Sequence, residues 1–578
     1  MTDGLADLLD ADPFSTGALR ARVLDAWAAA PSRFREDANA EEDYALGGYR
    51  DRVVVELAQN AADAAVRGGV PGRLRLTLRD GVLVALNTGA PLDAAGVEAL
   101  STLRASSKRG DAAGGGTVGR FGVGFAAVAA VSDAPRIRST TGVVGWSRTR
   151  TAELAGAIPA LAGELEARSG HVPVLRLPFA GQAPSGADDA LPAGFATAVE
   201  LPLRDDAAVE LVTRLLAETG PALLLALPAL THVEITAGGA TRLLTSVHEG
   251  DRTTVTVNGV PSSWRVAGAG GELDQAVLAD RPAEERLRTS WSVRWAVPVG
   301  DGGPPGDGGP AGRLPVGVTS VVHAPTPTDE PLSLPALLLA SFPLSPDRRR
   351  VAPGPLTDFL VERAADTYAG LLAELAPGPG LLDLVPRPVG QGELDARLAR
   401  AIAARLPAVP FLPAVHGASA GAVAEPPAGT AARPVPEAGM AGIADRVRPR
   451  DALLLATSAA GLSEWLAPVL PNLVTGPLRH PAWAVLGVRR MPLAELADLL
   501  ASLDREPAWW HGLYIALAGV PADERAELGA LPVPLADGRL VRGPRGLLLP
   551  GPGLEHAERL AVLGLRVVHP AAAHPLLS

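Results

Sequence analysis

The sequence contains no cysteine, which excludes disulfides and thiolate metal centres. Positive charge is in short supply. Lys plus Arg number 52 against 63 Asp plus Glu, giving a net charge of -11 and a pI near 5.5. That balance argues against a broad basic surface for nucleic acid, because phosphate contacts dominate such binding; a small basic patch stays open. Lysine itself is all but missing, with Lys108 alone among the 52 basic residues. Long apolar runs are lacking too: "PALLLALPAL" (221–230) is too short to span a bilayer and is broken by proline. The opening "MTDGLADLLDADPF" is acidic and has no basic region before an apolar core, so it does not read as a secretory signal. The ten histidines show no ligand spacing. These absences predict a soluble, cytoplasmic protein with no membrane segment.

What is present is a long chain, 47% hydrophobic over 578 residues, enough for three or four domains with buried cores. Residues 1–34 read as a helical leader around "GALRARVLDAWAAA", followed by an acidic loop, "FREDANAEEDYALGG". "YRDRVVVELAQNAADAAVRGG" (49–69) has Val54, Leu57, Ala61 and Ala64 at helical spacing and a Gly-Gly stop. "RLRLTLRD" (73–80) and "VLVALNTG" (82–89) alternate about Gly81 and predict a β-hairpin. A helix is expected over 93–104. A glycine-rich loop, "GDAAGGGTVG", then leads to an apolar helix, "FGVGFAAVAAVSD". "RIRSTT", "VVGWSRTR", "VPVLRLPF" and "FATAVELPL" read as strands, with a boundary near 205. A second block, 206–355, opens with a helical pattern and continues with strand-like runs, "THVEITAG", "RTTVTVNG", "SWSVRWAVPV" and "PVGVTSVVHA", the last two separated by a structureless Gly/Pro insertion at 300–313. The third block, 356–578, mixes helical stretches and loops.

Three features carry candidate chemistry. Glu56, Asn60 and Asp63 are spaced i, i+4 and i+7, so they share one helix face; such a stripe is either a functional row or the solvated side of an amphipathic helix. "GTVGRFGVGF" places Gly119, Gly122 and Gly124 among Arg120, Phe121, Val123 and Phe125, and reads as a phosphate cradle or a flexible turn. Lys108, just ahead of it, is a survivor of coding bias or a compact cation suited to a phosphate. The triple arginine at 348–350 is open between a solvated basic turn and a functional group.

In this order the motifs resemble the GHKL ATP-binding superfamily. "ELAQNAADA" (56–64) is similar to its first motif, "NTGAPL" (87–92) stands at the position of its Asp-x-Gly-x-Gly motif, and "ASSKR" (105–109) resembles the lid segment of the MutL branch. "GTVGRFGVGFAAVAAVSD" resembles the glycine lid of the ninety-kilodalton heat-shock chaperones, and most of all that of sacsin-type domains. "ATAVELPL" resembles the strand that closes the domain. The likeness covers 35–205 and extends to "FPLSPDRRRVAPG" (342–354), with a weaker echo at 531–551. It implies an α+β chain: an N-terminal Bergerat two-layer sandwich at 35–205, an α/β middle domain at 206–355 and a mixed α/β region at 356–578.

The resemblance further implies ATP and magnesium as ligands. Asn60 would supply an oxygen to Mg²⁺ and Glu56 would act as general base. Asp63, Asn87, Gly89, Lys108 and the run Gly119, Arg120, Phe121, Gly122, Val123, Gly124 and Phe125 would line the nucleotide. Arg348 and Arg349 are candidate phosphate sensors. One departure stands out: the adenine-reading aspartate of the family is Asn87 here, which exchanges a charge-assisted bond for a neutral one, roughly half as strong. The expected activity is slow, Mg-dependent ATP hydrolysis that switches conformation in a chaperone-like protein acting on protein clients, with the oligomeric state open and a dimer included. The rival readings are a GHKL scaffold that no longer hydrolyses and a MutL- or topoisomerase-like repair ATPase.

Overall fold

The computed structural model describes residues 12–46, 50–102, 124–181, 190–287, 289–300, 309–324, 326–345, 349–416, 446–459, 461–551, 562 and 564–578. The chain divides into two compact units. The first comprises Met1–Pro305, Ala311–Thr367 and Gly390–Leu398; the second comprises Gly306–Pro310, Tyr368–Val389 and Ala399–Ser578.

The first unit is built on one mixed sheet of 14 described strands. In chain order these are β1 (Gly72–Arg79), β2 (Val82–Asn87), β3 (Arg136–Ser139), β4 (Gly142–Gly145), β5 (Phe179–Ala180), β6 (Thr197–Pro202) and β7 (Leu230–Ala237). They continue with β8 (Ala240–Glu249), β9 (Arg252–Val257), β10 (Val260–Glu272), β11 (Ser290–Val299), β12 (Val321–His323), β13 (Pro327–Pro331) and β14 (Leu337–Ala340). Their spatial order is β13-β12-β14-β11-β10-β9-β8-β7-β1-β2-β6-β3-β4-β5. β1 pairs antiparallel with β2 on one side and parallel with β7 on the other. The boundary expected near 205 therefore falls between β6 and a helix, while the sheet itself continues from residues before it to residues after it.

Local chemistry explains the hairpins. Asp80–Gly81 and Asn258–Gly259 both have positive φ at the two turn positions, the pairing that a two-residue turn of right-twisted strands requires. β8 and β10 were not expected as strands. β10 contains "AGAGG", which reads as a breaker, yet these glycines lie against β11, and a Cβ on Gly271 would come within 3.2 Å of the Trp291 indole. At Gly271 a side chain would press on that indole, and at Gly270 it would press on the Trp291 backbone carbonyl.

Four helices matter for the candidate site: α1 (Thr16–Ala29), α2 (Pro31–Leu46), α3 (Val53–Gly68) and α4 (Ala94–Thr102). The stretch expected as an acidic loop is α2, a helix of 16 residues. Phe34, Asp37, Ala38 and Glu41 are all buried and spaced i, i+3, i+4 and i+7, so its hidden face is half polar and gives a weak apolar signal. The leader is part of the first unit: Phe14 and Leu19 join the main core, while Trp27 and Phe34 meet edge-on in a second cluster with Leu161 and Leu177. "VPVLRLPF" is a buried turn rather than a strand until β5, because two of its backbone N–H groups go to the Glu41 carboxylate, described below. "SRTR" opens a helix, α5 (Arg148–Gly156), with the Ser147 side chain accepting the Arg150 N–H as its N-cap. α6 (Asp206–Glu218) is capped in the same way by Asp205.

The second unit holds a three-stranded parallel sheet of Leu473–Val474, Leu453–Leu455 and Arg489–Met491. Helices Leu493–Leu500 and Pro507–Ala518 bury Leu496, Leu500, Trp510, Leu513 and Tyr514 in its core. The Tyr514 hydroxyl donates to the Pro532 carbonyl at 2.7 Å, which satisfies it inside an apolar setting.

Candidate functional site

α3 carries the candidate residues. Val53, Val54, Leu57, Ala58, Ala61 and Ala62 pack into the main core, and Gly69, at φ 61°, ends the helix by donating its N–H to the carbonyls of the last turn. Between residues 53 and 65 only Asn60 is exposed. Glu56 is 9% exposed and Asp63 is 1% exposed, so the polar row is not a solvated face: two carboxylates are buried and one amide reaches solvent. Glu56 lies in the first helical turn, where the macrodipole favours a negative charge.

Glu56 meets the far end of the glycine segment. A Cβ on Gly124 would overlap the Glu56 carboxylate oxygen and come within 2.9 Å of its carboxyl carbon. Only glycine allows that approach. Within the stretch expected as an apolar helix, Gly124–Ala130 forms a 3-10 helix, with Phe125, Ala126, Ala127, Val128 and Ala129 buried. Phe125 packs on Trp146 with ring centroids 5.4 Å apart. Arg204 holds the C-terminal end of this helix: its guanidinium donates to the Ala129 carbonyl at 2.7 Å and to Asp133 at 2.6 Å, and its backbone N–H donates to Val131 at 2.8 Å.

Asn87 ends β2, in register with Leu74 and Thr197, on the side of the sheet that α3 covers. Its side-chain NH₂ donates to the Thr88 carbonyl at 3.0 Å. Gly89, at φ 112°, passes so close to α3 that a Cβ would overlap the Ala64 backbone, and the Ala90 N–H donates to the Ala64 carbonyl at 2.8 Å. The small-residue turn is thus fixed backbone to backbone on the last turns of α3.

Arg349 is half exposed, 3.4 Å from Asp51, directly ahead of α3, and 3.8 Å from Asp329. Arg52, which the sequence reading passed over, is buried and donates to the Thr326 hydroxyl and, at 3.1 Å, to the Pro327 carbonyl. The start of α3 is therefore bonded to the 326–329 segment and to the arginine run. Lys108, Gly119, Arg120, Phe121, Gly122, Val123 and Arg348 lie outside the described residues.

Sequence reasoning also missed Asp37, Glu41, Arg176 and Arg204. The i, i+4 spacing of Asp37 and Glu41 was the available signal, masked by the surrounding acidic residues. Glu41 accepts the N–H groups of Val174 at 2.6 Å and Leu175 at 2.9 Å. Burial raises its carboxyl above the ordinary range, against the opposing pull of those two N–H groups and of Arg176.

Among the described residues no group of three or more His, Asp or Glu is placed to hold a metal ion. Nor is any described helix long and apolar enough to cross a membrane. No protein-family model and no curated protein matches the chain.

Proposed function

We propose that the chain is a Mg²⁺-dependent ATP-binding protein of GHKL type that hydrolyses ATP slowly and uses nucleotide to switch conformation, as a chaperone-like protein would. The observation that carries this reading is the contact of Glu56 with Gly124, with Asn60 exposed one helical turn beyond. A buried acid, a solvent-facing amide and a glycine that cannot become larger are brought together from two distant stretches. A packing role alone does not require an acid against that glycine.

The residues fit the chemistry. The Asn60 side-chain oxygen is a hard donor suited to Mg²⁺, which keeps most of its waters and takes only one or two protein oxygens. When bound, the ion would neutralise phosphate charge. Glu56, held by α3 and by the close approach of Gly124, would orient water or accept its proton. Asn87 can accept from, or donate to, a base edge with the amide valences that the Thr88 bond leaves. Gly124 opens the segment that would follow the phosphates.

A second reading, a nucleotide-binding scaffold without hydrolysis, is favoured by Asn87, whose neutral amide already spends one N–H on the Thr88 carbonyl. Titration calorimetry with ATP and Mg²⁺ on the native chain and on Asn60→Ala tests both. Magnesium-dependent binding that is lost in Asn60→Ala is the expected result. Glu56→Ala should then bind but not turn over. Binding without turnover in the native chain would select the scaffold, and no binding would remove both.

A further inference from the structure

β10 outruns one of its two neighbours. β9 begins at Arg252, opposite Arg265, while β10 runs on beside β11 as far as Glu272. The last bond on the β9 side is the Val266 N–H donating to the Asp251 carbonyl at 2.7 Å. Backbone groups alternate between the two sides of an antiparallel strand, so those of Gly268, Gly270 and Glu272 point the same way as that of Val266. The out-of-phase Leu273 N–H confirms the alternation by donating to the Thr289 carbonyl, on the β11 side, at 2.5 Å. Residues 268–272 are exposed, and no described strand lies beside them on the β9 side. A Cβ on Gly268 or Gly270 would meet atoms of β11 alone within 4 Å.

A second observation lies one strand further in. Arg294 stands on β11 between Gly268 and Leu339. It is half-buried, and burial lowers its pKa, yet among the described residues its guanidinium has no carboxylate partner. Adjacent strands lie about 4.8 Å apart. A residue added opposite Gly268 would therefore have its Cα about 10 Å from that of Arg294, on the same face, with no side chain in between. An arginine and a glutamate reaching towards each other span that gap, and any side chain at position 268 would obstruct them. Exposed edges are ordinarily blunted by proline, lysine or a bulge. This one is glycine and alanine up to Glu272, whose carboxylate is already taken by the Thr289 hydroxyl.

We propose that the open edge of β10, residues 267–272, is a docking site for an extended segment of a partner protein, which joins the sheet as a strand and sets a carboxylate opposite Gly268, where Arg294 receives it. The backbone groups of Gly268 and Gly270 supply attachment that is indifferent to sequence, and Arg294 supplies the preference for an acid. The inference is independent of the nucleotide reading.

The test uses the full chain and fluorescence anisotropy. The probes are the labelled peptide Thr-Val-Thr-Glu-Thr-Val-Thr, blocked at both ends, and the same peptide with Gln in place of Glu. They are titrated with the native chain, Gly268→Pro and Arg294→Gln. Proline at 268 removes an outward N–H and leaves the ladder to β11 in place; its Cβ would lie 3.4 Å from the Val293 carbonyl, an ordinary contact. The native chain should bind the Glu probe about tenfold more tightly than the Gln probe, the scale of one charge-assisted bond. Arg294→Gln should erase that ratio while still binding both probes. Gly268→Pro, with a native-like melting temperature, should weaken both by about tenfold or more. The proposal is overturned by no binding of the Glu probe to the native chain, by equal native affinity for the two probes, or by undiminished binding in Gly268→Pro. If Gly268→Pro fails to fold, Arg294→Gln decides: a ratio that survives in it overturns the proposal. A native dimer in sedimentation that Gly268→Pro dissolves would assign the edge to a second copy, and would also overturn it.

Discussion

A single added methyl group at position 124 would collide with the Glu56 carboxylate. Gly124→Ala should therefore destabilise the protein by about 1–3 kcal/mol, the usual cost of overpacking, in a denaturant titration. It should also abolish any hydrolysis, because relief comes most readily by moving Glu56. His323 offers a different residue-scale test. It is buried in β12 with neither ring nitrogen hydrogen-bonded among the described residues, and burial pushes its pKa down to about 4 from 6.5. The folded state thus binds fewer protons than the unfolded one. The stability that the neutral ring contributes is complete above pH 6.5 and is lost as pH falls towards 4, a difference of about 3 kcal/mol. His323→Leu should flatten that part of the pH–stability curve, measured as denaturation midpoints from pH 7 to pH 4.5.

Among the elements, α2 shows how a polar helix can be essential. Glu41→Ala would leave the Val174 and Leu175 N–H groups buried and unpaired, and should cost about 2–4 kcal/mol in thermal or chemical unfolding, whereas the exposed neighbour Asp43 should tolerate alanine. The elements legible in the sequence were those with local signals: α3 with its apolar spacing and Gly69 stop, the β1–β2 hairpin with Asp80–Gly81, and β11 with its alternation. The illegible ones depend on distant partners. α2 looked like a loop because Asp37 and Glu41 count as polar until Arg176 and two backbone N–H groups are brought to them. The 172–178 stretch looked like a strand because its side chains are apolar, yet its N–H groups bond a carboxylate instead of a neighbouring strand. The same divide runs through the candidate site. Glu56, Asn60, Asp63 and Asn87 could be read from spacing, but the burial of Glu56 and Asp63 and the contact with Gly124 appear only when the sheet and helix are assembled.

On the scale of the whole molecule, the two compact units have separate cores, one around α3 and the large sheet, the other around Trp510 and Tyr514. Unfolding should not be all-or-none: scanning calorimetry should give a calorimetric enthalpy larger than the van't Hoff value. The sheet of the first unit also bears on any attempt to isolate a nucleotide-binding piece. β1 lies between β2 and β7, and β7 comes from beyond residue 205. A fragment cut at 205 would strip β1 of its parallel partner along six residues and leave a row of open backbone donors and acceptors beside an apolar face. Open edges of that kind recruit other chains. Such a fragment would find its missing strand in another molecule, and a dimer or aggregate seen with it would report the cut rather than the protein.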